Sequence, residues 1–92
     1  MAVEIEAGRA LVYKAAWLKD QGRAFAKEAA MAKLFTGVMS GRVADEALQI
    51  HGGYGYMDEF PISRLYRDQK ILEIGEGTNN VQRMVIAKHL GL

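Results

Sequence analysis

The chain has 92 residues, half of them hydrophobic, with twelve basic and eleven acidic side chains and a formal net charge of +1. That length makes one small domain at most, and the balanced charge leaves no basic stripe for nucleic acid or an anionic membrane. With no cysteine, and with His51 and His89 far apart, disulfides and thiolate metal sites are excluded and no metal-ligand spacing is present.

In chain order, residues 2–21 read as a helix. Ile5, Leu11, Val12, Ala15, Ala16 and Leu18 form its apolar stripe, and Gly22 supplies a left-handed stop. A second helix is expected from about Ala26 to Ile50, with Met31, Leu34, Phe35, Val38, Val43, Ala47 and Ile50 on its stripe. Gly37 and Gly41 lie inside it, where they permit close helix contact or mark a kink. Residues 52–59 read as a loop. Pro61 suits the first turn of a short helix running to about Gln69. Residues 71–77 read as irregular. A last helix starts near Asn79, which is expected to cap it with Gln82 as the reciprocal partner. The pattern is all-α: an antiparallel hairpin of two long helices with two shorter ones packed on it. Trp17, Tyr13 and Phe35 read as core or interface packing. Arg64, Arg67 and Asp68 are expected to form a salt-bridge or cap network before residue 76.

No stretch approaches the ~20 apolar residues that span a bilayer, and the amino terminus lacks a signal-peptide core. The expectation is a soluble, cytoplasmic protein with no membrane partner. So many apolar residues in so short a chain suggest surface meant for another subunit or domain.

Two short segments stand apart. Gln49 to Asp68 packs Gly52, Gly53 and Gly55 between two helical patterns, and Gly75-Glu76-Gly77-Thr78 isolates a carboxylate between glycines before another helix. On residue chemistry alone, Glu76 reads either as a base pressed against a ligand or as a solvated acid favoured near a helix N-terminus. The glycines after Gln49 read either as a nucleotide-contacting segment or as a turn between helices.

Together these residues resemble the acyl-CoA dehydrogenase family, at the end of its C-terminal helical domain. The match runs through Gln49, Gly52, Gly53, Gly55, Tyr56, Glu59, Arg64 and Asp68 at the family's spacing. It continues through Glu76, Gly77, Thr78, Gln82 and Arg83, and extends weakly upstream through residues 19–22 and 30–35. The resemblance implies that residues 1–92 are a partial, four-helix-bundle-like C-terminal domain, without the N-terminal helical and middle β domains. It implies a fragment of an FAD-dependent oxidoreductase of fatty acid metabolism, a flavoprotein converting acyl-CoA to trans-2-enoyl-CoA. Glu76 is then the catalytic base, which takes the α-proton while hydride leaves the β-carbon. A carboxylate suits that role where its site excludes water. Gly77 is then a substrate contact. Gln49, Ile50, His51, Gly52 and Gly53 are flavin contacts reaching the adenosine-diphosphate part of a cofactor held mainly by a neighbouring subunit. Thr78, Asn79 and Asn80 contact the flavin nucleotide after the Glu. His51 reads as a scaffold residue rather than a base. The implied partners are acyl-CoA, an electron-transfer flavoprotein, and further copies of the chain or a chain supplying the missing domains.

This chain departs from the family pattern at Gly75, where many members carry an aromatic residue, and at Asn80, where many carry an acid or Gln. Some branches also place the base on an earlier helix. The chain alone is expected to be inactive. The alternative reading is a non-catalytic helical oligomerisation module or gene remnant.

Overall fold

The computed structural model describes all 92 residues and contains helices but no strands. Helix α1 spans Ala2–Asp20, α2 Ala26–His51, α3 Pro61–Asp68, α4 Ile71–Ile74 and α5 Asn79–His89, with a 3₁₀ segment at Gly52–Tyr56. The expected all-α hairpin is present. Its turn is a Schellman closure: Gly22 adopts φ +68°, its N–H donates to the Lys19 carbonyl, and the Arg23 N–H donates to the Leu18 carbonyl.

Helix α2 is the spine. At 1.5 Å per residue its 26 residues run about 39 Å. Helix α1 packs antiparallel to it, so that Glu4 pairs with Arg42 at 3.3 Å and Gly8 faces Thr36 and Met39. After the 3₁₀ segment the chain returns along α2. Ile62 and Leu65 of α3 lie beside Ala44 and Ala47, Leu72 of α4 beside Gly37, and Ile86 of α5 beside Leu34 and Phe35. The buried core is built from small residues (Ala15, Ala30, Ala32, Ala44, Gly8, Gly37) with Leu18 and Ile62.

Helix α2 runs without interruption through its glycines, and its neighbours explain why glycine stands there. A Cβ on Gly37 would sit 3.1 Å from the Leu72 carbonyl oxygen, a close backbone approach that any side chain obstructs. Gly37 and Gly41 therefore serve close contact with the returning chain.

Several expectations are corrected. Residues 71–74 form a helical turn rather than irregular chain, and 52–56 are 3₁₀ rather than open loop. Thr78, not Asn79, caps α5: its Oγ1 accepts from the Val81 N–H at 3.3 Å, while Gln82 turns back to the Glu76 and Gly77 carbonyls. Arg64, Arg67 and Asp68 are exposed and make no ion pair; the ion pairs are Arg9–Glu6, Lys27–Glu28, Arg42–Glu4 and Lys70–Glu73. Ile5, Val12 and Ala16 of the α1 stripe are exposed, as are Tyr13, Trp17 and Phe35. Within this chain those aromatics do not form a core, and Trp17 instead carries the Arg23 guanidinium 5.7 Å above its ring.

Candidate functional site

The turn between α4 and α5 carries the candidate carboxylate. Glu76 has φ +57°, the only positive φ outside glycine. A non-glycine residue in that region costs on the order of 1–3 kcal/mol and persists only where neighbours hold it. The holding contacts are visible. Lys33, reaching across from α2, donates from Nζ to the Gly77 carbonyl at 2.6 Å. Gln82 Nε2, from α5, donates to the Glu76 carbonyl at 3.3 Å and to that of Gly77 at 3.4 Å. Gly77 has φ +98°, and a Cβ there would meet Gln82 Nε2 at 2.6 Å, so this position requires glycine. Gly75 does not: its φ of −73° is ordinary.

The turn rests on a half-buried Glu73, whose Oε2 accepts from Lys70 Nζ at 2.9 Å and from Asn79 Nδ2 at 3.4 Å. Asn79 Oδ1 is buried without a partner. Glu76 itself is exposed and opens onto a cavity of about 470 Å³ walled by Lys33, Thr36, Ile71, Leu72 and Gly75. The cavity therefore offers apolar side chains beside one carboxylate, with a cation behind it.

The other predicted residues lie elsewhere. Gln49, Ile50 and His51 close α2, exposed, with Ile50 at 73% of its full accessibility. Gly52 turns the chain out of the helix at φ +63°, and at both Gly52 and Gly53 nothing lies within 4 Å of where a Cβ would be. The bare backbone there is clear for a ligand to lie against. His51 Nδ1 sits 2.8 Å from the Ala47 carbonyl. A carbonyl only accepts, so in this contact Nδ1 carries the hydrogen and the ring braces the end of the helix. Gln49 lies sixteen positions after Lys33 on one helix, about 24 Å of rise. The structure thus brings Glu76, Gly77, Thr78 and Asn79 together and keeps the Gln49–Gly53 segment far from them.

The first helical N–H groups of α5, on Asn79 and Asn80, have no intrahelical partner by position, and they lie beside the buried, unpartnered Asn79 oxygen. Asn80 Oδ1 already accepts from Arg83 at 3.0 Å, so Arg83 is engaged on the surface. Lys33 and Glu73 were not singled out from sequence. The available signal was position: Lys33, Gly37 and Gly41 repeat at four-residue spacing, the row of α2 that faces the returning chain.

Fold and site define a class, a helical domain that presents a glycine-flanked carboxylate beside an apolar cavity. The profile of the acyl-CoA dehydrogenase C-terminal domain matches residues 1–91. The chain belongs to the acyl-CoA dehydrogenase family. It is 57% identical over 90 residues to the probable acyl-CoA dehydrogenase YngJ of Bacillus subtilis, covering 98% of this chain and 24% of that protein. It is 50% identical over 90 residues to the human mitochondrial short-chain specific acyl-CoA dehydrogenase, covering 98% of this chain and 22% of that one. Butyryl-CoA dehydrogenase from Megasphaera elsdenii superposes with a TM-score of 0.97 at 50% identity, over 100% of this chain and 24% of its own. A structure described as the FAD complex of PigA superposes at 0.96 with 32% identity, over 100% of this chain and 24% of its own. The chain thus spans about a quarter of the length of the relatives it matches. No helix is long and apolar enough to cross a membrane.

Proposed function

We propose that residues 1–92 supply the catalytic base and part of the flavin surface of an FAD-dependent acyl-CoA dehydrogenase. The observation that carries this reading is the left-handed turn holding Glu76 over an apolar cavity, in a chain of this family. Glu76 removes the α-proton of an acyl-CoA thioester, leaving the trans-2-enoyl-CoA. FAD, when bound, accepts the β-hydride. Gly77, without a side chain, lets the acyl group approach the turn. Thr78, Asn79 and Asn80 offer donors at the start of α5. The Gln49–Gly53 segment, some 24 Å of helix from Lys33, suits contact with the cofactor of a second copy. An electron-transfer flavoprotein is the partner that takes the electrons onward; a solved structure described as an electron transferring flavoprotein of Acidaminococcus fermentans includes a chain superposing at TM-score 0.96.

Glu76 is exposed here. Water exclusion, which a carboxylate base requires, then comes from groups outside these residues, and the chain alone is inactive. A second reading is favoured by the exposed apolar residues Val12, Tyr13, Trp17, Ile50 and Met84: a helical association module without chemistry.

The test is a hybrid in which these residues replace the matching quarter of the Bacillus subtilis relative. Glu76→Gln should lower kcat by about 10²-fold or more while FAD stays bound. Full turnover in that variant rules out Glu76 as base.

A further inference from the structure

We infer that Lys33 is a positioning residue for Glu76, acting through the Gly77 carbonyl; the inference rests on the reading of Glu76 as the base. Lys33 lies in mid-helix on α2, half-buried, and makes no ion pair with any carboxylate. Withdrawing an ammonium from water without a counter-charge is costly unless its donors are satisfied. Its hydrogen bond to the Gly77 oxygen, at 2.6 Å across 44 residues of sequence, is short and charge-assisted. It also spans more of the chain than any other side-chain hydrogen bond, the next being Ser40 to Gln69 across 29 residues.

The carbonyl it grips is that of Gly77, the residue directly after the strained Glu76, so the bond fixes the far side of the Glu76–Gly77 peptide. The Gln82 contacts to the same turn are long, 3.3 and 3.4 Å, and come from α5, the helix that directly follows it. Lys33 makes the one hydrogen bond from α2 to residues 75–78, whose flanking helices α4 and α5 pack on the same spine. It also lines the Glu76 cavity, so its stem limits where the carboxylate can go. Removing the ammonium frees Glu76 to leave φ +57° for the ordinary negative-φ region. The carboxylate then swings away from the cavity while the helices remain packed.

Two substitutions separate positioning from packing. Lys33→Met keeps the aliphatic stem and removes the donor; Lys33→Arg keeps an N–H donor. In the labelled 92-residue chain, NMR reads the Gly77 carbonyl-carbon shift and the φ-sensitive coupling of Glu76. Lys33→Met should change both while α1 and α3 signals hold, and Lys33→Arg should restore them. In the hybrid enzyme Lys33→Met should lower kcat by about tenfold to a hundredfold at unchanged KM and FAD content, the scale expected for a misplaced reacting group. Wild-type signals at residues 76–77 in Lys33→Met, or undiminished kcat, overturn the inference. Changes spread evenly over all helices overturn it too, as the mark of a packing role. Failure of the underlying reading looks different: activity then survives Glu76→Gln.

Discussion

At the scale of single residues, the two glycines beside Glu76 are not equivalent. Both flank the carboxylate in sequence, yet only Gly77 adopts a conformation that L side chains avoid. Gly77→Ala must bear φ +98° and a Cβ 2.6 Å from Gln82 Nε2, so Gln82 has to leave the turn. The expected loss is about 1–3 kcal/mol of unfolding free energy, read from denaturant midpoints at constant slope. Gly75→Ala keeps φ −73° and meets the Ile71 carbonyl oxygen at 3.3 Å, which a small shift relieves. Its loss should be under half that of Gly77→Ala. Equal losses would mean that the turn relaxes freely and that the left-handed geometry is not held. Residue 76 stood out in the sequence because a lone carboxylate between glycines is a poor choice for a helical core, although the residues alone left open a base or a solvated acid. The clamp that holds it was not, because a lysine inside a helix looks like ordinary solvated charge until its partner 44 residues away is known.

At the scale of elements, the boundaries of α1, α2 and α3 followed from apolar spacing, Gly22 and Pro61 with errors of a residue or so. The start of α5 was legible to one residue, but its cap was misassigned, since Thr78, Asn79 and Asn80 are all competent caps and only geometry chooses among them. Thr78 Oγ1 receives the Val81 N–H. Thr78→Ala should therefore cost ~1 kcal/mol and Thr78→Ser should recover most of it, measured by thermal unfolding. An undiminished midpoint in Thr78→Ala would return the cap to Asn79. Gly37 makes the opposite point about propensity. Alanine there gains up to ~1 kcal/mol of helix preference. It also places a Cβ 3.1 Å from the Leu72 oxygen, against backbone that carries the turn to Glu76. The expected result is net destabilisation with α4 displaced, so that amide exchange in residues 71–77 speeds up while α1 is unaffected. A stabilised Gly37→Ala would show that α4 sits loosely on α2.

At the scale of the whole molecule, shape and surface argue together. The radius of gyration is 15.4 Å, against about 12 Å for a compact domain of this length, and the extents are 47 × 23 × 18 Å. No large side chain is fully buried, and Val3, Ile50, Tyr56, Met84 and Leu92 are each more than 70% exposed. The sequence conveyed the excess of apolar residues but not where they lie, because helical periodicity marks a stripe and does not say what covers it. In the arrangement proposed above, further domains and copies cover these faces and also bridge the two segments proposed to contact flavin, which one chain keeps apart. Cofactor retention should therefore depend on assembly. Incubated with FAD and desalted, the chain as a monomer should elute colourless, whereas the hybrid enzyme, with the remaining domains supplied, should retain the visible flavin bands. Sedimentation run beside the spectra separates the readings. A self-associated chain that keeps FAD means that the Gln49–Gly53 and Thr78–Asn80 surfaces complete each other between copies. A self-associated chain that stays colourless, and whose behaviour does not change in Gln49→Ala, means that association is what these exposed faces serve and that the flavin surface lies in the covering domains.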